Sequence, residues 1–317
     1  MKEYINSGSQ DTRSGFGAGL AILGRTNPRV VALTADLKGS LKMDEFAAEH
    51  PDRFFEVGIA EANMIGMAAG MALTGSIPFA GTFANFATAR VYDQIRQAVC
   101  YSHTNVKIAA SHAGITLGED GATHQTLEDV GMMRMLPGMT VLVPCDYNQT
   151  VAATLAAAAY EGPVYLRFGR PKVPNFTPAD EPFIIGKAQQ LAEGGDVTIL
   201  ANGHLVWEAI QAAKALEAEG IGVDLYNIHT VKPLDEKAIL ASVARTGCVV
   251  VAEEHLVAGG LGEAVAGLLA ERHPAPMRIV AIRDQFGQSG TPAQLMQAYG
   301  LDAAHIAAAA RELYGRK

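Results

Sequence analysis

Ser111-His112-Ala113-Gly114-Ile115-Thr116-Leu117-Gly118-Glu119-Asp120-Gly121-Ala122-Thr123-His124-Gln125 follows directly on the apolar run 106–111. That run has the length and the β-branched, small-residue composition of a strand covered on both faces. The segment after it holds two histidines, two acids and three glycines. In a parallel sheet, ligands collect beyond the carboxyl ends of the strands, which is where this segment falls. Its glycines permit unusual backbone angles and close approach of a ligand. Packing alone gives no reason for such a loop, so chemistry is expected here.

Outward from that loop, short apolar runs alternate with longer alanine-rich stretches. Residues 30–34, 77–81, 106–111, 140–143 and 164–168 read as buried strands. Residues 13–24, 61–73, 88–101 and 148–160 read as helices. This alternation predicts a parallel sheet with helices on both sides. After Arg170 the pattern breaks at Pro171, Pro174, Pro178 and Pro182. Proline removes donors and stops regular elements, so a linker is expected. A second unit follows, with strands at 197–201, 222–227, 249–252 and 278–282 and helices at 204–219, 235–244 and 262–272. The expected fold is α/β, with two three-layer αβα domains, each with a mostly parallel sheet. The expected division is residues 1–185, including the linker from about 171, and residues 186–317. Neither Gly15-Phe16-Gly17-Ala18-Gly19 nor Gly259-Gly260-Leu261-Gly262 is a dinucleotide fingerprint. Both read as packing or turn glycines.

Bulk properties narrow the class. A chain of 317 residues with 49% hydrophobic and 18% charged residues can bury a sizeable core. Its net charge of −8 argues against a nucleic-acid partner. No apolar run approaches the roughly 20 residues of a membrane span, and the N-terminus opens no apolar signal region. Cys100, Cys145 and Cys248 are scattered and odd in number. That pattern suggests a reducing, cytoplasmic setting without a disulfide framework.

Four groups of residues carry candidate chemistry. Glu61 opens the stretch Glu61-Ala62-Asn63-Met64-Ile65-Gly66-Met67-Ala68-Ala69-Gly70, so small and apolar that the helix is expected to be buried on all sides. A carboxyl group at its mouth would be partly desolvated, a setting that favours holding or sharing a proton. His112 and His124, with Asp120, suit hydrogen bonding to hydroxyls and proton movement near neutrality. They lack helical zinc spacing and have no cysteine beside them, so no metal site is expected on this chain. Phe83 and Phe86, in Gly81-Thr82-Phe83-Ala84-Asn85-Phe86, are core aromatics unless a flat heterocycle stacks nearby. Arg13, Arg167 and Arg170 lie next to predicted helix or strand ends, with Ser40 in the loop after Asp36; arginine there suits a bidentate phosphate grip.

Together these motifs resemble the transketolase family, in its pyrimidine-binding and C-terminal domains, nearly end to end. The resemblance rests on Val57-Gly58-Ile59-Ala60-Glu61, Gly81-Thr82-Phe83 and Gly118-Glu119-Asp120-Gly121-Ala122-Thr123-His124-Gln125. Arg90-Val91-Tyr92-Asp93-Gln94 is also similar to the deoxyxylulose-phosphate synthases. The resemblance implies thiamine diphosphate as cofactor and two-carbon ketol transfer from a ketose phosphate to an aldose. It implies that Glu61 bonds the aminopyrimidine, Phe86 stacks on it, Phe83 lines its pocket and Asp36 lies near the thiazolium. It gives His112 and His124 to the substrate oxygens and Asp120 to the hydroxyl next to the carbonyl. Arg13, Ser40 and either Arg167 or Arg170 would hold the sugar phosphate.

The sequence departs from the family at Ala89, where many members have a tyrosine, and in the short segment between Ser40 and Glu61. No Gly-Asp-Gly occurs anywhere in the chain. That motif holds magnesium and the diphosphate in the family. The resemblance therefore implies one subunit of a split transketolase. A diphosphate-binding partner chain would carry Mg2+, in an α2β2 assembly. Two other readings remain: a deoxyxylulose-phosphate synthase-like or 2-oxoacid-cleaving subunit, and a non-catalytic regulatory or scaffolding subunit.

Overall fold

A computed structural model describes residues 2–316; residues 1 and 317, the outer limits of the two expected units, lie outside the described residues. The first sheet has seven strands. Their order is Thr230–Lys232, Thr140–Leu142, Val164–Arg167, Lys107–Ser111, Ile77–Phe83, Val30–Thr34 and Phe54–Glu56. All pairs are parallel except the one made by Thr230–Lys232, which runs antiparallel to Thr140–Leu142. The second sheet orders Met277–Ile282, Val249–Leu256, Val197–Ala201, Val223–Asn227 and Gln189–Ala192, with only the last strand antiparallel. Both are thus mostly parallel sheets flanked by helices, as the alternation predicts. Every residue of Val30–Thr34, Lys107–Ser111 and Val197–Ala201 is buried, which explains why they are built mainly of apolar residues.

Helix Thr12–Thr26 starts where the Asp11 side chain accepts from the Ser14 amide, a regular N-cap. It lies close against Tyr147–Ala159 because Gly15 and Gly19 face that helix. A Cβ added at Gly15 would stand 2.5 Å from the Tyr147 carbonyl oxygen, and one at Gly19 2.8 Å from Thr154 Cβ. These are packing glycines.

Four local expectations are corrected. Helix Glu61–Leu73 is not buried on all sides: Met64, Ile65, Ala68 and Ala69 enter the core, while Ala62, Asn63, Gly66, Gly70 and Leu73 face outward. Its small, apolar outer face is left uncovered in the single chain. The helix expected at 88–101 is broken into Ala84–Ala87, a 3-10 turn Ala89–Val91, Tyr92–Gln94 and a π-helical Ile95–Tyr101. The break falls at Thr88, whose hydroxyl donates to the Ala84 carbonyl at 2.7 Å, a bond that bends helices. Residues 54–56, absent from the expected strands, form an edge strand on Val30–Thr34. The proline-rich linker, where regular elements were expected to stop, contains a short strand and is pinned to the first domain. Its Lys172–Pro174 pairs antiparallel with Ser9–Asp11, and the buried Asp146 carboxylate accepts from the Phe176 and Thr177 amides.

Helices Asp129–Met135 and Ala303–Tyr314 had no counterpart in the sequence reading. The first of them feeds a buried charge cluster between the two sheets.

Candidate active site

The sheet brings most of the singled-out residues to one edge, beyond the carboxyl ends of adjacent strands. Phe83 and Ser111 are register partners on neighbouring strands. This places the next residue, His112, face to face with the Phe83 ring, at 3.8 Å between centroids and 26° between planes. His112 has a left-handed backbone, φ +58°, and its Nδ1 lies 2.7 Å from the Ser111 hydroxyl. Burial pushes its pKa down to about 3, with the positive charges of Arg13 and Arg170 acting in the same direction. The ring is therefore neutral at physiological pH.

Those two cations frame the open side of the site. Arg13 donates from Nη1 to the Ser40 carbonyl at 3.3 Å and from Nε to Asp11 at 3.2 Å, which joins the Ser40 loop to the first helix. Arg170 donates to the Leu117 carbonyl at 3.0 Å and stands 3.8 Å from Asp120. Asp36 has φ +59°, and its amide donates to Glu56 Oε1, which also accepts from the Gly58 amide. That clasp ties the Asp36 loop to the turn leading into Glu61.

Arg167 is placed elsewhere. Its side chain is 7% exposed, and Nε donates to Asp129 at 2.7 Å while Nη2 donates to the Glu254 carbonyl at 2.9 Å. Burial alone would raise the Asp129 carboxyl, but the Arg167 guanidinium, His255 and the Tyr165 hydroxyl outweigh it and hold the carboxyl below its usual range. Arg167 belongs to a buried ion pair behind the sheet edge, whereas Arg170 is partly exposed.

Glu61 opens its helix as a buried residue, 4% exposed. Its Oε1 accepts from Arg90 Nη1 at 2.7 Å. The same guanidinium lies over the Phe86 ring, 4.1 Å from its centroid. Phe86 is stacked beside Phe83 at 5.8 Å and meets the edge of His124 at 5.7 Å and 69°. The loop carrying His124 is tethered by Asn85, whose side-chain amide donates to the Thr123 carbonyl at 2.9 Å. Sequence reading quoted Arg90 without giving it a part. No local signal marks it, because the chain is not continuously helical between Phe86 and Arg90.

Fold and site together define an α/β protein of two parallel-sheet domains, with an acid-and-aromatic cradle at one sheet edge. The pyrimidine-binding domain of transketolase matches residues 8–175 and the transketolase C-terminal domain matches residues 186–306, so the chain belongs to the transketolase family. The 6-deoxy-6-sulfo-D-fructose transketolase subunit SqwH of Clostridium sp. (strain MSTE9) is 47% identical over 289 residues, 91% of this chain and 90% of that one. One of the subunits of the apulose-4-phosphate transketolase of Phocaeicola vulgatus is 38% identical over 301 residues, 95% of this chain and 96% of that one. A solved structure described as a split gene transketolase, inactive beta4 tetramer, superposes with a TM-score of 0.91 at 47% identity, covering 96% of this chain and 98% of that one.

The family's cofactor is thiamine diphosphate, and the cradle suits its pyrimidine. A flat, nitrogen-bearing donor already lies against Phe86 and bonds Glu61. A heterocycle offering one face and one ring-nitrogen contact meets the same two demands.

Proposed function

We propose that this chain is the pyrimidine-binding subunit of a split transketolase, transferring a two-carbon ketol unit from a ketose phosphate to an aldose in the cytoplasm. The observation carrying this reading is the pairing of a buried acid, Glu61, with an aromatic face, Phe86, bridged by one planar donor. Thiamine diphosphate, when bound, supplies the electron sink for carbon–carbon cleavage. Glu61 holds the pyrimidine by a hydrogen bond and fixes where its proton rests. Phe86 stacks on that ring, Phe83 closes its pocket, and Asp36 lines the thiazolium side.

His112, neutral and with Nδ1 facing Ser111, keeps Nε2 for a substrate oxygen. His124 serves a second substrate oxygen, and Asp120 the hydroxyl next to the carbonyl. Arg13, Ser40 and Arg170 hold the terminal anion of the sugar. Arg170 is the better of the two arginines left open by the sequence, because Arg167 is committed to Asp129. Residues 1–185 carry these roles, and residues 186–317 form the C-terminal domain.

The diphosphate and Mg2+ sites fall to a partner subunit in an α2β2 assembly. Two observations support this: the sequence has no Gly-Asp-Gly, and the relative solved as a β4 tetramer is described as inactive. The relatives' names concern a sulfonated and a phosphorylated sugar, so the anion held by Arg13 and Arg170 is the substrate feature to vary first. The test co-expresses this chain with its partner and assays ketol transfer across phosphorylated and sulfonated ketoses. Turnover by the pair and none by the lone chain is expected. Robust turnover by the lone chain would remove the partner requirement. Pyruvate decarboxylation without ketol transfer would move the assignment to another thiamine chemistry.

A further inference from the structure

Arg90 occupies the place that the proposed function gives to the cofactor's pyrimidine. Two independent contacts define that place. Arg90 Nη1 takes Glu61 Oε1 at 2.7 Å, and its guanidinium plane covers Phe86 at 4.1 Å. A guanidinium is planar, stacks on aromatic faces and presents fixed N–H donors. Its shape and donors thus match those of an aminopyrimidine edge.

The two partners differ sharply in exposure. Glu61 is 4% exposed, while the Arg90 side chain is 48% exposed, so the arginine has solvent to withdraw into and the acid does not. A buried carboxylate without a partner is strongly destabilising. The empty subunit therefore needs some cation or donor at Glu61, and Arg90 provides it from a segment with an irregular backbone. Arg90 sits in the 3-10 turn Ala89–Val91, immediately after the break at Thr88 and two residues after the point where φ and ψ leave the helical region. A short turn of this kind can reposition a side chain without moving the helices on either side.

We infer that Arg90 is a placeholder latch. It closes the acid-and-aromatic cradle in the cofactor-free subunit, and binding of the heterocycle displaces it from both Glu61 and Phe86. This rests on the functional reading above. One carboxylate oxygen and one ring face serve either occupant, so the two compete. The apparent affinity for the cofactor is then reduced by the fraction of molecules whose latch is open. In return, the lone chain is protected from an unpaired buried charge while it waits for assembly.

The test measures thiamine diphosphate binding calorimetrically on the assembled complex, for wild type, Arg90→Ala and Arg90→Lys, alongside thermal melting of the lone full-length chain. A latch open about a tenth of the time gives Arg90→Ala about tenfold tighter cofactor binding than wild type. Arg90→Lys, which keeps the charge but not the flat stack, binds with an affinity between the two. In the lone chain Arg90→Ala lowers the melting temperature by several degrees, and the added change Glu61→Gln restores most of that loss. Unchanged or weaker cofactor binding by Arg90→Ala in a complex whose wild type binds normally overturns the latch and leaves the functional reading standing. Failure of the wild-type complex to bind thiamine diphosphate overturns both.

Discussion

The imidazole of His112 stacks on the ring of Phe83, 3.8 Å between centroids, from a left-handed backbone in the turn after Ser111. Burial, with the positive charges of Arg13 and Arg170 beside it, disfavours a charged imidazole there. This single arrangement fixes a pH dependence. The folded ring takes a proton only near pH 3, against 6.5 for an ordinary histidine. Between those values the unfolded chain binds more protons. Stability from this group is full above about pH 6.5 and falls as pH drops toward about 3. His112→Gln is expected to flatten that acid limb in part, because burial lowers His204 and His229 as well. Urea midpoints from pH 4 to 7 measure it; parallel curves for variant and wild type would show the ring to be chargeable in place.

Arg167→Met tests the division of labour between the two neighbouring arginines. It leaves Asp129 ionised and buried with the Tyr165 hydroxyl at 2.7 Å as its remaining strong partner. Removing one member of a buried pair costs about 3–5 kcal/mol. Chemical denaturation is expected to show a loss of that size. A loss under about 1 kcal/mol would mean that the pair is open to solvent.

Arg170→Ala should do the opposite. The side chain is 37% exposed and its ion pairs to Glu119 and Asp120 are long, at 3.4 and 3.8 Å. Stability is expected to change by no more than about 0.5 kcal/mol. The KM for sugars with a terminal phosphate or sulfonate rises by about tenfold to a hundredfold, in line with loss of a charge-assisted hydrogen bond. The KM for a neutral acceptor stays put. A uniform loss of kcat with KM unchanged would take Arg170 out of the anion grip.

Lys107 sits at 0% exposure at the start of the strand Lys107–Ser111, the end away from the site, with Nζ donating to the side chain of Asn105 and to the Tyr160 and Gly162 carbonyls. Lys107→Met keeps the stem and takes the donor from the Tyr160 and Gly162 carbonyls, while Asn105 Oδ1 keeps the Gly162 amide. Each buried unsatisfied acceptor costs about 1–3 kcal/mol, so a total loss of about 2 kcal/mol or more is expected from urea unfolding. A neutral outcome would mean that water reaches the site.

The parts of the fold that were legible in the sequence are fully buried strands and a helix built of small helix formers. Val30–Thr34, Val197–Ala201 and Glu61–Leu73 agree residue for residue with the reading, because a nearly continuous apolar run or a run of small helix formers leaves few alternatives. The edge strands Phe54–Glu56 and Thr230–Lys232 escaped it. Each is three residues long and exists only because a distant strand offers an edge. The broken helix turns on one hydroxyl, Thr88, choosing a carbonyl. Among the motif residues, Phe83 touches both His112 and Phe86, and Phe86 is joined to Glu61 through Arg90; their roles remain proposals. Two things were not legible. The choice between Arg167 and Arg170 depends on Asp129 arriving from a helix that the sequence reading did not find. The engagement of Glu61 by Arg90 depends on the irregular turn after Thr88. Both are tertiary facts that no local periodicity announces.

Glu61→Gln in the assembled complex tests the central claim most directly. The substitution keeps the size of the side chain but removes the carboxylate that is to fix the proton on the cofactor ring. Two-carbon transfer is expected to fall by about a hundredfold to ten-thousandfold, the range associated with one proton-handling group, with the fold and the assembly intact. A complex that retains near wild-type transfer rates would contradict the account, because no other acid among the described residues has been found bonded to a planar donor on the face of Phe86.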